Sequence, residues 1–420
     1  MSFDPRCFLV SLFHAAVDAA SAQIGVPPNL PPAPCGRTIV VGAGKAAAAM
    51  AKAVEDHWQG PLSGLVITRY GHGVPCRTIE VVEAGHPVPD EAGRTAAERM
   101  LRAVQGLTED DLVLALISGG GSSLFSLPAP GISLADKQTV TRALLTSGAP
   151  ISDINCVRKH LSAVKGGRLA LAAQPAAVRS LIISDVPGDD PATVASGPTV
   201  PDPTTRQQAL AILEKYAIAI PHAVRSWLDD PASETPKPDE RTFARVENRV
   251  VARARDALAA AARMAEARGI AVLDLGDAIE GEAREVAREH AQLALRHARK
   301  GRASVLISGG ETTVTVKGRG RGGRNSEYLL ALALALGGAP GIWAIACDTD
   351  GIDGTQSNAG AMLTPDTLAR GRHLGVDAQE ELLKNDAYGF FQTLGDLVET
   401  GPTRTNINDF RAILIRPHES

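Results

Sequence analysis

Three short apolar runs in this chain each stop at glycines, and that pattern restricts the fold more than any other feature. Arg37 to Val41 runs into Gly42-Ala43-Gly44-Lys45, Leu112 to Ile117 into Ser118-Gly119-Gly120-Gly121-Ser122-Ser123, and Val305 to Ser308 into Gly309-Gly310. Continuous apolar runs of this length read as strands buried on both faces, which belong to sheets covered by helices. The helix formers AAAAMAKAVEDHW follow the first turn, so strand, glycine turn and helix stand in the order of a nucleotide-binding crossover. Alternation continues with strands at 78–82 and 177–184 around a helix at about 90–104. It resumes with a helix at about 249–268, a strand at 270–275, a helix at 281–299, a second strand at 312–316 after Gly310, a helix at 325–336 and a strand at 342–347. Asp4-Pro5 opens a further helix near 4–23, and the proline-rich segment 27–34 ends it. The polar, proline-rich stretch 221–238 reads as a domain linker, and 420 residues leave room for two or three domains. The prediction is an α/β fold in more than one domain.

Each glycine turn admits a ligand reading and a packing reading. Gly42-x-Gly44-x-x-Ala47 fits the relaxed dinucleotide fingerprint, but the next strand, GLVITRYG, ends at Arg69 and Tyr70 without a ribose-binding carboxylate. Lys45 is nonetheless held where an anion can sit. Gly119 to Ser123 forms a nest able to close around an anion, and SVLISGGETTV echoes LALISGGGSSL, although about ten residues cannot establish a duplication. The loop before the 325–336 helix carries Lys317, Arg319, Arg321 and Arg324, which are either half of an anion site or a solvated basic tip.

Further candidates are distributed along the chain. Arg158, Lys159, Lys165 and Arg168 lie close enough for at least two to point together, and His160 is either a base or a packed residue. The long loop after 177–184 offers Asp185, Asp189 and Asp190 for a cation or a proton, against ordinary turn chemistry. Asp348, Asp350 and Asp353 are oxygen ligands suited to Mg²⁺ or to Asx turns, and Asn406, Asn408 and Asp409 are available as polar lining.

Lys+Arg 43 against Asp+Glu 47 leaves a net charge of −4, which argues against nucleic acid or an anionic membrane as partner. Five scattered cysteines without a CxxC pair suggest neither a zinc site nor a disulfide framework. With no basic leader and no run long enough to span a bilayer, the expected location is cytoplasmic.

The motifs VVGAGKAAAAMA, AGHPVPDEAG, LISGGGSSL, NCVRKHLSAVKGGRLA, ISDVPGDDPATVASGPTVPDPTT, LISGGETTVTVKGRGRGGRNSE, CDTDGIDG, NDAYGFF and TGPTRTNINDF together resemble the glycerate 2-kinase family, whose C-terminal half is the MOFRL domain. They cover the chain nearly end to end and in order. The resemblance implies a Rossmann-like parallel-sheet domain over 1–235, a second α/β domain over 241–420 on which the 4–23 helix packs, and an active site in the cleft between them. It implies phosphorylation of D-glycerate on its 2-hydroxyl by ATP with Mg²⁺, and leaves a homodimer open. It places Lys45 and Arg324 at the transferring phosphoryl group, and phosphoryl transfer makes Asp189 the first choice of base. Gly42, Gly44, Ser118, Gly119, Gly120, Gly121, Ser122, Ser123, Lys159, Gly309, Gly310, Glu311, Asn325 and Asn406 become substrate or nucleotide contacts, with Asp350 and Asp190 for the metal. Three departures from the family pattern are Cys156 for a small β-branched residue, Ser326 for glutamine and Arg404 for glycine. The alternatives are an NAD(P)H-dependent hydroxypyruvate reductase, a label this family also carries, and a non-catalytic sugar-acid binding protein.

Overall fold

The computed structural model describes residues 3–238 and 240–416, which divide into two units: Ala22–Val251, and Met1–Ser21 together with Ala252–Ser420. The first unit is built on β1 (Thr38–Ala43), β2 (Ser63–Arg69), β3 (Ile79–Ala84), β4 (Leu112–Ser118), β5 (Ala177–Ile183) and β6 (Val246–Ala252), in the order β3-β2-β1-β4-β5-β6. β1 runs parallel to β2 and β4, β2 to β3, and β4 to β5. Every residue of β1 and β4 is buried, as expected of central strands covered on both faces. The strand order is that of a doubly wound sheet, and its direction reverses between β1 and β4, the position at whose carboxyl ends such sheets bind ligands. Both glycine turns of this unit lie there.

Two expectations fail here. The stretch 221–238 is no linker: helix His222–Asp229 buries Val224 and Leu228 in an apolar cluster with Ile154, Val157, Leu161 and Leu213. The division between units falls at Val251 and Ala252 rather than between 235 and 241, and the predicted 249–268 helix begins only at Ala254. The cause is the run VENRVVA, whose β-branched residues complete the edge of the first sheet as β6.

The second unit contains β7 (Ala271–Asp274), β8 (Ile279–Glu282), β9 (Ser304–Ser308), β10 (Gly310–Thr313), β11 (Ile342–Asp348), β12 (Gly360–Leu363), β13 (Leu397–Val398) and β14 (Asp409–Ile415). Its main sheet is mixed, ordered β13-β12-β11-β14-β9-β7, and β8 pairs separately with β10. β14 is antiparallel to β9 and β11, so its first residues lie beside their last, with Asp409 opposite Asp348 and Arg411 opposite Ser308. Gly309-Gly310 is not the expected tight turn. The chain runs on through it into β10, and a Cβ on Gly310 would lie 2.3 Å from the backbone of Ile279. The second strand accordingly ends at Thr313, not at 316.

Helix Pro5–Ala19, capped by the Asp4 carboxylate on the N–H groups of Arg6 and Cys7, belongs to this second unit. It buries Leu9, Leu12 and Phe13, the last with its ring 6.0 Å from that of Phe410. No single helix among the described residues is long and apolar enough to cross a membrane. Arg404 sits at φ 63, a left-handed conformation natural to the glycine expected at that position. Arg404→Gly is therefore expected to raise stability by about 1 kcal/mol, less the entropy glycine returns to the unfolded chain, measurable by urea unfolding.

Candidate active site

In the first unit, the turn after β1 is held by its own backbone. The Gly44 N–H donates to the Ile67 carbonyl at 3.1 Å, Lys45 N–H to the Gly119 carbonyl at 2.8 Å and Ala46 N–H to Ser118 Oγ at 3.0 Å. The donors that a pyrophosphate would need are thus taken by protein acceptors. The glycines serve packing: a Cβ on Gly42 would lie 2.2 Å from the Leu116 carbonyl and one on Gly44 2.1 Å from Ser118 Oγ. What this turn presents is the side chain of Lys45, whose stem passes Gly120 together with the His86 ring. A Cβ on Gly120 would stand 3.2 Å from Lys45 Cγ and 3.0 Å from His86 Nε2.

Gly120, Ser122, Ser123 and His86 line one side of a cavity of about 410 Å³; Lys137, Arg158 and Lys165 line another. Lys137 and Lys165 are buried, and each has only a carbonyl as its hydrogen-bond acceptor, Leu127 at 3.5 Å and Ala195 at 3.1 Å. Burial, and then repulsion from Arg158, brings Lys137 down to about 7. Burial, Lys137 and Arg158 hold Lys165 well below the usual lysine range. Ser122 Oγ lies 3.0 Å from Ser196 Oγ, and Ser196 sits with Ala195 at positive φ. Strain of that kind persists only where the surroundings enforce it.

The other expected cations of this unit are engaged. Lys159 pairs with buried Asp202 at 3.4 Å, and Arg168 holds the carbonyls of Ser233 and Glu234. His160 is buried between the Cys156 carbonyl and Glu234, a packed residue rather than a base. Asp190 closes an ordinary Asx turn on Ala192 N–H and Thr193, which commits its oxygens and leaves no support for a metal role. Asp189 is half-buried at φ 56 in the loop after β5.

In the second unit, Arg324 opens helix Arg324–Leu336 and forks onto carboxylates from separate elements: Nε to Asp409 at 2.8 Å, Nη1 to Glu311 at 2.6 Å and Nη2 to Asp348 at 3.0 Å. Burial works against its charge, but Asp409, Asp348 and Glu311 outweigh it and keep the guanidinium firmly protonated. Asn325 Nδ2 donates to Asp409 at 2.8 Å, and buried Arg411 pairs with the same carboxylate. Asp353 caps the helix by accepting from the N–H groups of Asn325 and Ser326. Asp350 is buried and accepts from Ile352 N–H at 2.8 Å; Asn406 is buried too. Arg324 and Glu311 also border a cavity of about 730 Å³ with Glu327 and Asn385. Lys317, Arg319 and Arg321 are exposed, so for them the solvated reading of the basic loop holds. Its glycines pack: a Cβ on Gly318 would lie 1.9 Å from the Lys384 carbonyl, and one on Gly323 2.2 Å from Asp353 Oδ1.

Sequence reasoning missed Lys137. The available signal was its spacing with Val140 and Leu144, which puts a lysine on the buried stripe of helix Leu134–Thr146.

Residues 8–229 match the model of a family described as a domain of unknown function, DUF4147, and residues 304–409 that of the MOFRL family. The chain is 40% identical to the D-glycerate 2-kinase of Thermotoga maritima, over 97% of this chain and 98% of that protein. It is 55% identical to an Agrobacterium vitis protein named "Putative hydroxypyruvate reductase", over 98% and 94%. The crystal structure of glycerate kinase from Thermotoga maritima superposes with a TM-score of 0.88 at 40% identity, covering 98% of this chain and 99% of that one.

Proposed function

This chain belongs to the glycerate 2-kinase family, in which a DUF4147 domain precedes a MOFRL domain, and from that membership we propose that it transfers the γ-phosphoryl group of ATP to the 2-hydroxyl of D-glycerate, giving 2-phospho-D-glycerate and ADP. The observation that carries this reading over hydride transfer is the turn after β1: its N–H groups are spent on Ile67, Gly119 and Ser118, so it offers a cationic side chain, Lys45, in place of a dinucleotide cradle.

Phosphoryl transfer needs no protein nucleophile. The substrate oxygen forms the new P–O bond as the bond to ADP breaks, and the protein supplies charge and a proton acceptor. Lys45 and Arg324 are assigned to the transferring group. Asp189, held in the left-handed region on a loop at the carboxyl end of β5, is assigned to take the hydroxyl proton. Asp189→Asn is expected to lower kcat by about a hundredfold with KM for MgATP little changed, and Asp190→Asn to leave both within about threefold.

The donor set in the second unit suits Mg²⁺, being all oxygen, with Asp348 and Asp409 opposite one another and Asp350 two residues on. Among the described residues no group of three or more ligating side chains forms a site by itself. Asp348 and Asp350 would therefore hold the ion through one or two carboxylates, with phosphate and water completing its shell. When bound, the ion neutralises phosphate charge. The cytoplasm is the compartment this reading carries, because MgATP is the donor.

The test is ADP release from purified protein with MgATP and D-glycerate, run beside NADPH consumption with hydroxypyruvate. Glycerate-dependent ADP is expected. NADPH loss without it would replace the kinase with the reductase, and neither signal would leave a binding protein.

A further inference from the structure

The cavity of the first unit holds a charge arrangement that stability does not explain. Lys137, Arg158 and Lys165 border it, close enough for Lys137 and Arg158 both to act on Lys165, and no ion pair joins any of them to a carboxylate among the described residues. Lys137 and Lys165 are 5% and 1% exposed. Buried like charges without counterions oppose folding, so a chain that keeps them needs an anion to complete the site. The rest of the lining describes that anion. Ser122 and Ser123 supply hydroxyls, Pro87, Val88 and Leu145 make the outer wall apolar, and Gly120 brings the cavity to the stem of Lys45.

We propose that this cavity is the acid subsite: Lys137, Arg158 and Lys165 take the carboxylate of a small hydroxy acid, with its hydroxyl end toward Ser122, Gly120 and Lys45. The assignment rests on the kinase reading for the identity of the acid. MgATP reaches a protein with much of its charge already neutralised by its cation, and suits the acidic surroundings of Arg324. A free carboxylate has no such partner and requires protein cations.

The experiment is calorimetric binding of D-glycerate to the full chain without nucleotide, with inorganic phosphate and MgATP as separate titrants. Lys137→Met and Lys165→Met are each expected to weaken D-glycerate binding by about tenfold or more and to raise its KM equally, with KM for MgATP within about twofold. Arg158→Met should behave alike and Arg158→Lys should recover most of the binding. Because the removed charges are buried, the melting temperature of unliganded Lys137→Met should equal or exceed that of the parent, while its rise on adding D-glycerate disappears.

The pH dependence carries a sign. Lys137 faces Arg158 and Lys165, and its folded value of about 7 lies below its value in the unfolded chain. Its cost to folding is therefore full below about pH 7 and is relieved as pH rises toward the unfolded value, so the advantage of Lys137→Met should be larger at pH 6 than at pH 9. D-Glycerate affinity should fall as pH rises above 7, because the anion favours the charged lysine.

D-Glycerate binding unchanged in Lys137→Met and Lys165→Met would overturn the assignment, as would loss of MgATP or phosphate binding in its place. The two readings fail separately. ADP formation at the parent's KM for glycerate in both variants keeps the kinase and removes the subsite. Glycerate binding that depends on Lys137, without ADP formation, does the reverse.

Discussion

Arg324→Met is expected to lower kcat for glycerate-dependent ADP formation by about a hundredfold or more, the loss associated with one well-placed charge at a developing transition state. It should also destabilise the second unit. Asp409 and Asp348 stand opposite one another on β14 and β11, buried, and the guanidinium bridges them. Removing one member of a buried ionic set costs about 3–5 kcal/mol; Arg411 still pairs with Asp409, which brings the expectation to about 2–3 kcal/mol. Arg324→Lys should restore little of either. One ammonium cannot reproduce a planar fork that reaches Asp409, Glu311 and Asp348 from three nitrogens. Steady-state kinetics with a urea melt checks both halves. Parent-like turnover in Arg324→Met would remove the residue from the phosphoryl-transfer step.

Lys45→Met is expected to show the opposite combination, a comparable loss of kcat with the fold intact. The turn is fixed by the backbone N–H groups of residues 44–46, so the side chain is not needed to hold it. A half-buried methionine stem should change stability by no more than about 0.5 kcal/mol. KM for D-glycerate should move only a few-fold if Lys45 acts on the phosphoryl group, and by much more if it acts on the carboxylate. Measuring kcat and KM separately tells the two apart.

The strands and glycine turns were legible in the sequence because a buried parallel strand is apolar throughout. Gly42, Gly44 and Gly310 marked real constraints, yet those constraints are close contacts with Leu116, Ser118 and Ile279. Composition cannot tell a glycine that admits a ligand from one that admits a neighbouring strand. The arginine-rich loop shows the same limit. Arg324 differs from Arg319 and Arg321 only through Asp348 and Asp409, which the register of β11 and β14 brings together across a long sequence separation. Lys137 was harder still, since its importance lies in carbonyl-only partners and in neighbours that are also cations. β6 was hidden by composition: arginines and alanines suited a helix, and only its pairing at the sheet edge made VENRVVA a strand.

The membership of helix Pro5–Ala19 in the second unit has a consequence for synthesis. The polypeptide emerging from a ribosome presents this helix first, but β14, which carries its partner Phe410, arrives last. The first unit, whose sheet ends with β6, can close while roughly the last third of the chain is still being made. Phe13 must meanwhile wait with its apolar face exposed, so the nascent chain is most vulnerable to chaperone capture or aggregation at its beginning, and a fragment starting at Ala252 would lack the cover for its own sheet.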